Sequence, residues 1–237
     1  MVLGMDAVVE ARSPRSVIAC GVLRPELDYL LRNGDAGVQV TYLEQSMHRT
    51  PHLMPEQVQE SVDWASQWAA QIVLGYGLCS NGIMGVRAPE QGLVTTKAHD
   101  CVALFLGSIG EYNRLSRSNP GSYYLTRGWI LERKDPLGQL ENEYVPRMGR
   151  EMAEWGAKEE LKHYSHFVLI DTGVGDLEAL RERAMENARF FGKEYMEVRG
   201  DLSYLERILF GPYDGRSFYL LEPGDTVQQR WFLRETA

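Results

Sequence analysis

The chain has 237 residues, 44% of them apolar and 24% charged, and 25 basic against 33 acidic residues give a net charge of −8. That length buries a sizeable core, as one large α/β domain or two small lobes, while the acidic balance argues against nucleic acid or an anionic membrane surface as a partner. No run approaches the roughly 18 apolar residues that cross a bilayer, and the N-terminus is acidic where a secretion signal would be basic, so residues 1–15 read as a loose tail and the protein as cytoplasmic.

In chain order, "SVIACGV" (16–22) is a β-branched apolar run that ends in glycine, the pattern of a buried strand. "RPELDYLLRNG" follows with Leu27, Leu30 and Leu31 on one helical face and Gly34 as its stop. "VQVTYLE" (38–44) alternates like a strand, and "MPEQVQESVDWASQWA" opens a helix at Pro55. "QIVLGYG" and "GLVTTKA" (92–98) are two more strands, and "HDCVALFLGSIGEYNRL" is a helix beginning near Asp100. In the second half "GSYYLTRGWILE" (121–132) reads as extended, and "ERKDPLGQLENEY" (132–144) as a polar loop or lid around Pro136 and Gly138. "RMGREMAEWGAKEELKHY" is a helix, "HFVLIDTGVGD" (166–176) a strand running into glycines, and "DLEALRERAMENARFFG" a helix closed by Gly192. A strand "EYMEVRG", a helix "DLSYLERILFG" and a last strand "SFYLLEPG" complete the order.

Strands alternating with helices predict an α/β fold: mostly parallel sheet covered by helices on both faces, in two Rossmann-like lobes. The lobes would span 16–118 and 119–237, as two domains or one continuous one.

Parallel α/β sheets bind ligands outside the carboxyl ends of their strands. The three cysteines all fall there. Cys20 ends the first strand, Cys79 lies just past the third, and Cys101 lies just past the fourth at a helix start. Three thiolates around one space suit a soft metal or an iron–sulfur cluster. A [4Fe-4S] cluster on three cysteines keeps one iron open to a substrate. A zinc ion or other mononuclear metal would take a fourth ligand, with His99, His48 or His52 available. The gaps of 59 and 22 residues match no local metal motif, so buried inert thiols and a single catalytic thiolate stand beside the shared site.

Gly21, Gly75, Gly77 and Gly82 would let the backbone approach a bulky group. Cys101 at a helix N-terminus, with Lys97 and His99 before it, would have its thiolate stabilised. His99 is a candidate general acid or orienter of a thiolate, and Asp100 a catalytic acid or a simple N-cap. Arg127 would bind a carboxylate or phosphate of a small anionic substrate, and Trp129 would wall a pocket unless, like Tyr123 and Tyr124, it belongs to the core. Gly173 and Gly175 form half of a phosphate-cradling loop. His163 and His166 flank a strand without chemistry.

The segments "ACGVLRPEL", "GYGLCSNG", "HDCVALFLGS", "PGSYYLTRGW", "DTGVGD" and "GDLSYLERILFGPYD…FYLLEPG" together resemble a prokaryotic family of conserved hypothetical proteins of unknown function, over about residues 16–224. The resemblance implies cysteines at the positions of Cys20, Cys79 and Cys101; Ser122 departs from the threonine that the family often carries there. It also implies a setting in anaerobes and methanogens, near corrinoid-dependent methyltransferase genes. The expected role is therefore a metal- or cluster-binding protein of anaerobic one-carbon metabolism. As an enzyme it would be a lyase or transferase with an open metal position acting as Lewis acid; otherwise it would serve a corrinoid protein or its methyltransferase. A metal-free enzyme with a cysteine nucleophile assisted by His99 and an anion-binding regulatory module are the competing expectations. The sequence is silent on whether the chain forms a homo-oligomer.

Overall fold

The computed structural model describes residues 14–32, 34, 37–44, 52–79 and 81–233. Strand β1 (Arg15–Cys20) is buried from Ser16 onward, as a branched apolar run must be when both sheet faces are covered. A 3₁₀ turn, Gly21–Leu23, leads directly into helix α1 (Arg24–Leu31), with Pro25 in its first turn. Strand β2 (Val38–Leu43) and helix α2 (Met54–Ala65) follow, then β3 (Gln71–Gly75) and β4 (Leu93–Thr96). The strands β2, β1, β3 and β4 lie side by side and parallel.

The expected helix over 99–115 is two helices. α3 (Cys101–Phe105) ends at Gly107, whose φ of +78° breaks the helical path, and α4 (Ile109–Ser118) restarts with Ser108 accepting from the Glu111 N–H. A second parallel sheet has the order β5-β6-β7, from β5 (Ser122–Leu125), β6 (His166–Asp171) and β7 (Glu194–Arg199). The expected extended run 121–132 is strand only to Leu125, because helix α5 (Arg127–Leu131) begins at once. Gly128 makes this turn fit: a Cβ there would stand 2.1 Å from the Val22 carbonyl oxygen.

The segment 132–144 is not a lid. Asp135 caps helix α6 (Pro136–Gln139), a π turn spans Leu140–Tyr144, and Leu137 and Leu140 are buried. The wholly buried Asp135 carboxylate accepts from Arg183 Nε (2.9 Å) and Asn187 Nδ2 (2.8 Å), which pins the segment to helix α9 (Glu178–Phe191). Helices α7 (Val145–Met148) and α8 (Arg150–Glu160) lie between.

The two sheets do not divide the chain at 118/119. After β7, helix α10 (Ser203–Phe210) packs with the first core, β8 (Phe218–Leu221) pairs antiparallel with β4, and helix α11 (Gln229–Leu233) follows. β6 serves both cores: Phe167 and Leu169 face the second, Ile170 the first. Among the described residues no helix is long and apolar enough to cross a membrane.

Candidate functional site

The three cysteines all lie at the carboxyl edge of the first sheet. Cys20 is the last residue of β1, Cys79 follows β3, and Cys101 is the first residue of α3. They are 2, 5 and 8% exposed, all free thiols. Two loop hydrogen bonds past the strand ends hold Cys79 in place: Leu78 N–H donates to the Ala98 carbonyl (2.9 Å) and Cys79 N–H to that of His99 (3.0 Å). Gly77 permits this, since a Cβ there would lie 2.6 Å from the Asp100 backbone. Cys79 itself sits in the left-handed region, with φ of 48°, which costs a non-glycine residue about 1–2 kcal/mol.

Burial pushes all three thiols up, Cys20 to about 11 and the others well above the usual value. Mutual repulsion adds to it: Cys20 acts on Cys79, and Cys79, Asp100 and Cys20 act on Cys101. The three sulfurs are therefore close enough to feel one another's charge. Tyr76 senses Cys20 and Cys79, and its buried hydroxyl has no hydrogen-bond partner among the described residues. The expected stabilisation of a Cys101 thiolate by the helix start is outweighed by desolvation, and α3 is only five residues long.

Cys79 and Cys101 open onto a cavity of about 610 Å³ between the first sheet's loops and β5. Its wall is formed by Tyr112 and Ser116 of α4, Tyr123 and Tyr124 of β5, Trp129 of α5, and Tyr164. Asp100 reaches it as well. Its carboxylate accepts from the Val102 N–H (2.9 Å), so it is the N-cap of α3, and it is hydrogen-bonded to the Tyr112 hydroxyl. Burial raises its pKa against these hydrogen bonds, which lower it.

The other expected site residues lie elsewhere. The His99 ring packs against Phe232 at 6.2 Å between centroids, its Nε2 buried without a partner among the described residues. Arg127 sits at the seam between the sheets, donating to the Asp176 carbonyl and acting on Glu26. Gly21 starts the 3₁₀ turn. A Cβ on Gly75 would meet Ala19 (3.1 Å) and one on Gly82 the Met54 sulfur (2.3 Å), so these glycines, like Gly77, let the protein itself pack closely. Beside Gly173 and Gly175 stand the guanidinium groups of Arg199 and Arg127, at 3.1 and 2.6 Å from a Cβ, and the Gly173 N–H donates to Asp171 (2.8 Å). That loop is filled, not an open phosphate cradle. His166 is tied to Ser165 and Glu194, His52 is exposed, and His48 lies outside the described residues. The i,i+4 spacing of Tyr112 and Ser116 puts them on one face of α4, but no spacing rule links that face or Tyr164 to the cysteines.

Fold and site together define an α/β protein with three buried thiols at one sheet edge, two of them lining an aromatic cavity. The chain belongs to the family described as Protein of unknown function (DUF1638), whose model matches residues 42–209. That span includes Cys79, Cys101 and the whole cavity wall; Cys20 precedes it. No curated protein and no solved structure matches the chain.

Proposed function

We propose that the protein binds a soft metal or iron–sulfur cluster through Cys20, Cys79 and Cys101, with one position open to the cavity. The observation that carries this reading is the burial of three mutually interacting thiols at one sheet edge, two of them on the cavity floor. As the side chains lie, no group of three or more His, Cys, Asp or Glu among the described residues stands at metal-holding spacing. The donor chemistry nonetheless fits. Thiols that repel one another as thiolates are those whose ionisation a shared cation favours most, and the unpartnered Tyr76 hydroxyl interacts with two of them, Cys20 and Cys79. Bound there, the group would supply a Lewis-acidic position. The chain's own contribution is to exclude water from the sulfurs and to hold the substrate in the aromatic cavity. By the family resemblance, the setting is anaerobic methyl-group metabolism, as an enzyme or as a factor for a corrinoid methyltransferase.

The competing thiolate nucleophile is less well supported. Its thiols are held protonated at neutral pH, their charged neighbours are acidic, and His99 turns to Phe232. Anaerobic purification with absorption spectroscopy and metal analysis separates the two. We expect a coloured or metal-bearing protein whose metal is lost in Cys79→Ser and Cys20→Ser. A metal-free protein whose Cys79 or Cys101 alkylates rapidly near neutral pH would replace this reading with the nucleophile.

A further inference from the structure

The cavity has a chemical bias independent of any metal. Five of its described lining residues are aromatic, and among the described residues no Lys, Arg or His lines it. Among the described lining residues the one carboxylate is Asp100, which is half-buried and braced by Tyr112. Among the described residues this wall presents no cationic side chain for the small anion expected from Arg127.

We propose that the cavity is a binding site for a small, globular organic cation of the alkylammonium class. Ring faces attract cations through their quadrupoles, and the attraction grows as water is excluded. The ring arrangement selects shape. Tyr123 stands at 86° to Trp129 (6.1 Å) and 74° to Tyr164 (5.2 Å), and Tyr112 is tilted 49° from Tyr124 (6.3 Å). Rings turned in several directions make a box, whereas a planar ligand needs parallel faces to stack between. The Asp100 carboxylate gives the box its sign. It lines the cavity beside the rings, where a cation would meet it and a neutral ligand would gain no charge pairing. Ser116 and Ser122 add neutral oxygens to the wall.

This site shares its floor with the thiols but does not depend on a metal being there. The test is calorimetric titration of the full chain with three tetrahedral probes of similar size: tetramethylammonium, neopentyl alcohol and pivalate. Saturable binding of tetramethylammonium, at least tenfold tighter than neopentyl alcohol and with pivalate not bound, supports the proposal. Equal binding of the alcohol, preference for pivalate, or no binding of the cation overturns it. Asp100→Asn keeps a good helix cap and Trp129→Leu keeps apolar bulk; each is expected to weaken the cation about tenfold, and unchanged affinity in both overturns the assignment. The titration is repeated on Cys79→Ser, where metal ligation is broken. Binding retained there supports the proposal apart from the metal reading, and binding lost there overturns it.

Discussion

The loop after β3 and the loop after β6 both leave the carboxyl end of a parallel strand, and both turn on glycines. After β6, Gly173 and Gly175 take the positive φ values (75° and 69°), and the space beside them is closed by Arg199 and Arg127. After β3, the glycines are spent on bringing the chain against Asp100 and Met54, and the positive φ falls on Cys79 and Asn81. One loop is relaxed and sealed; the other is strained and opens, through Cys79, onto the cavity. Glycines at a strand end thus mark a tight path, and what fills the path decides whether a ligand has room.

The point where helix α5 packs on the turn after β1, next to Arg127, should be highly sensitive to added volume. Gly128→Ala forces a methyl into the Val22 carbonyl at 2.1 Å, backbone against backbone, where neither partner can rotate away. We expect a loss of at least about 4 kcal/mol, at the extreme of single substitutions, read by denaturant unfolding. Gly149→Ala is the control, since a Cβ there meets nothing within 4 Å, although its φ of +77° carries its own cost. A Gly128→Ala protein no less stable than that control would mean the seam is not closed as described.

The same seam holds a carboxylate that should make stability depend on pH. Glu26 is fully buried, accepts from the Thr172 hydroxyl (3.0 Å), and has its second oxygen unpartnered among the described residues. Burial raises its pKa from 4.5 to about 7, against the Thr172 hydrogen bond and the charge of Arg127. The folded chain therefore keeps a proton that the unfolded chain has released. The stabilising contribution is complete below about pH 4.5 and is lost as pH rises to about 7, at a cost of about 3 kcal/mol. Glu26→Gln keeps an oxygen for Thr172 and should flatten that window while stabilising the protein at pH 8. Equal pH slopes in the two proteins would show that Glu26 is hydrated.

Several parts of this contrast were legible in the sequence. Buried branched runs gave the strands, and with them the shared edge of Cys20, Cys79 and Cys101. The helix over Arg127–Leu131 was hidden because "SYYLTRGW" is rich in strand-favouring aromatics, and the need for Gly128 against Val22 is a tertiary fact. The segment 132–144 carried a usable sign, Asp135 before Pro136 as a helix start, but its polarity concealed that Leu137 and Leu140 are core. The return of α10 and β8 to the first sheet was beyond local pattern altogether, since pairing between Leu93–Thr96 and Phe218–Leu221 leaves no mark on either segment.

The smallest expected effect isolates the strain on the open side. Cys79→Ala and Cys79→Gly both remove the thiol, and both leave the backbone hydrogen bonds to Ala98 and His99 intact. They differ in whether a Cβ must be held at φ of 48°. Glycine adopts that conformation freely but has the larger unfolded-state entropy to lose. The balance at a left-handed position favours glycine by about 1 kcal/mol, so Cys79→Gly should unfold at higher denaturant than Cys79→Ala, with unchanged slope. The opposite order would mean that Cys79 lies in an ordinary backbone region in solution. The strain that sets this loop apart from the glycines after β6 would then vanish, and with it the sign that the backbone is held there to aim a sulfur.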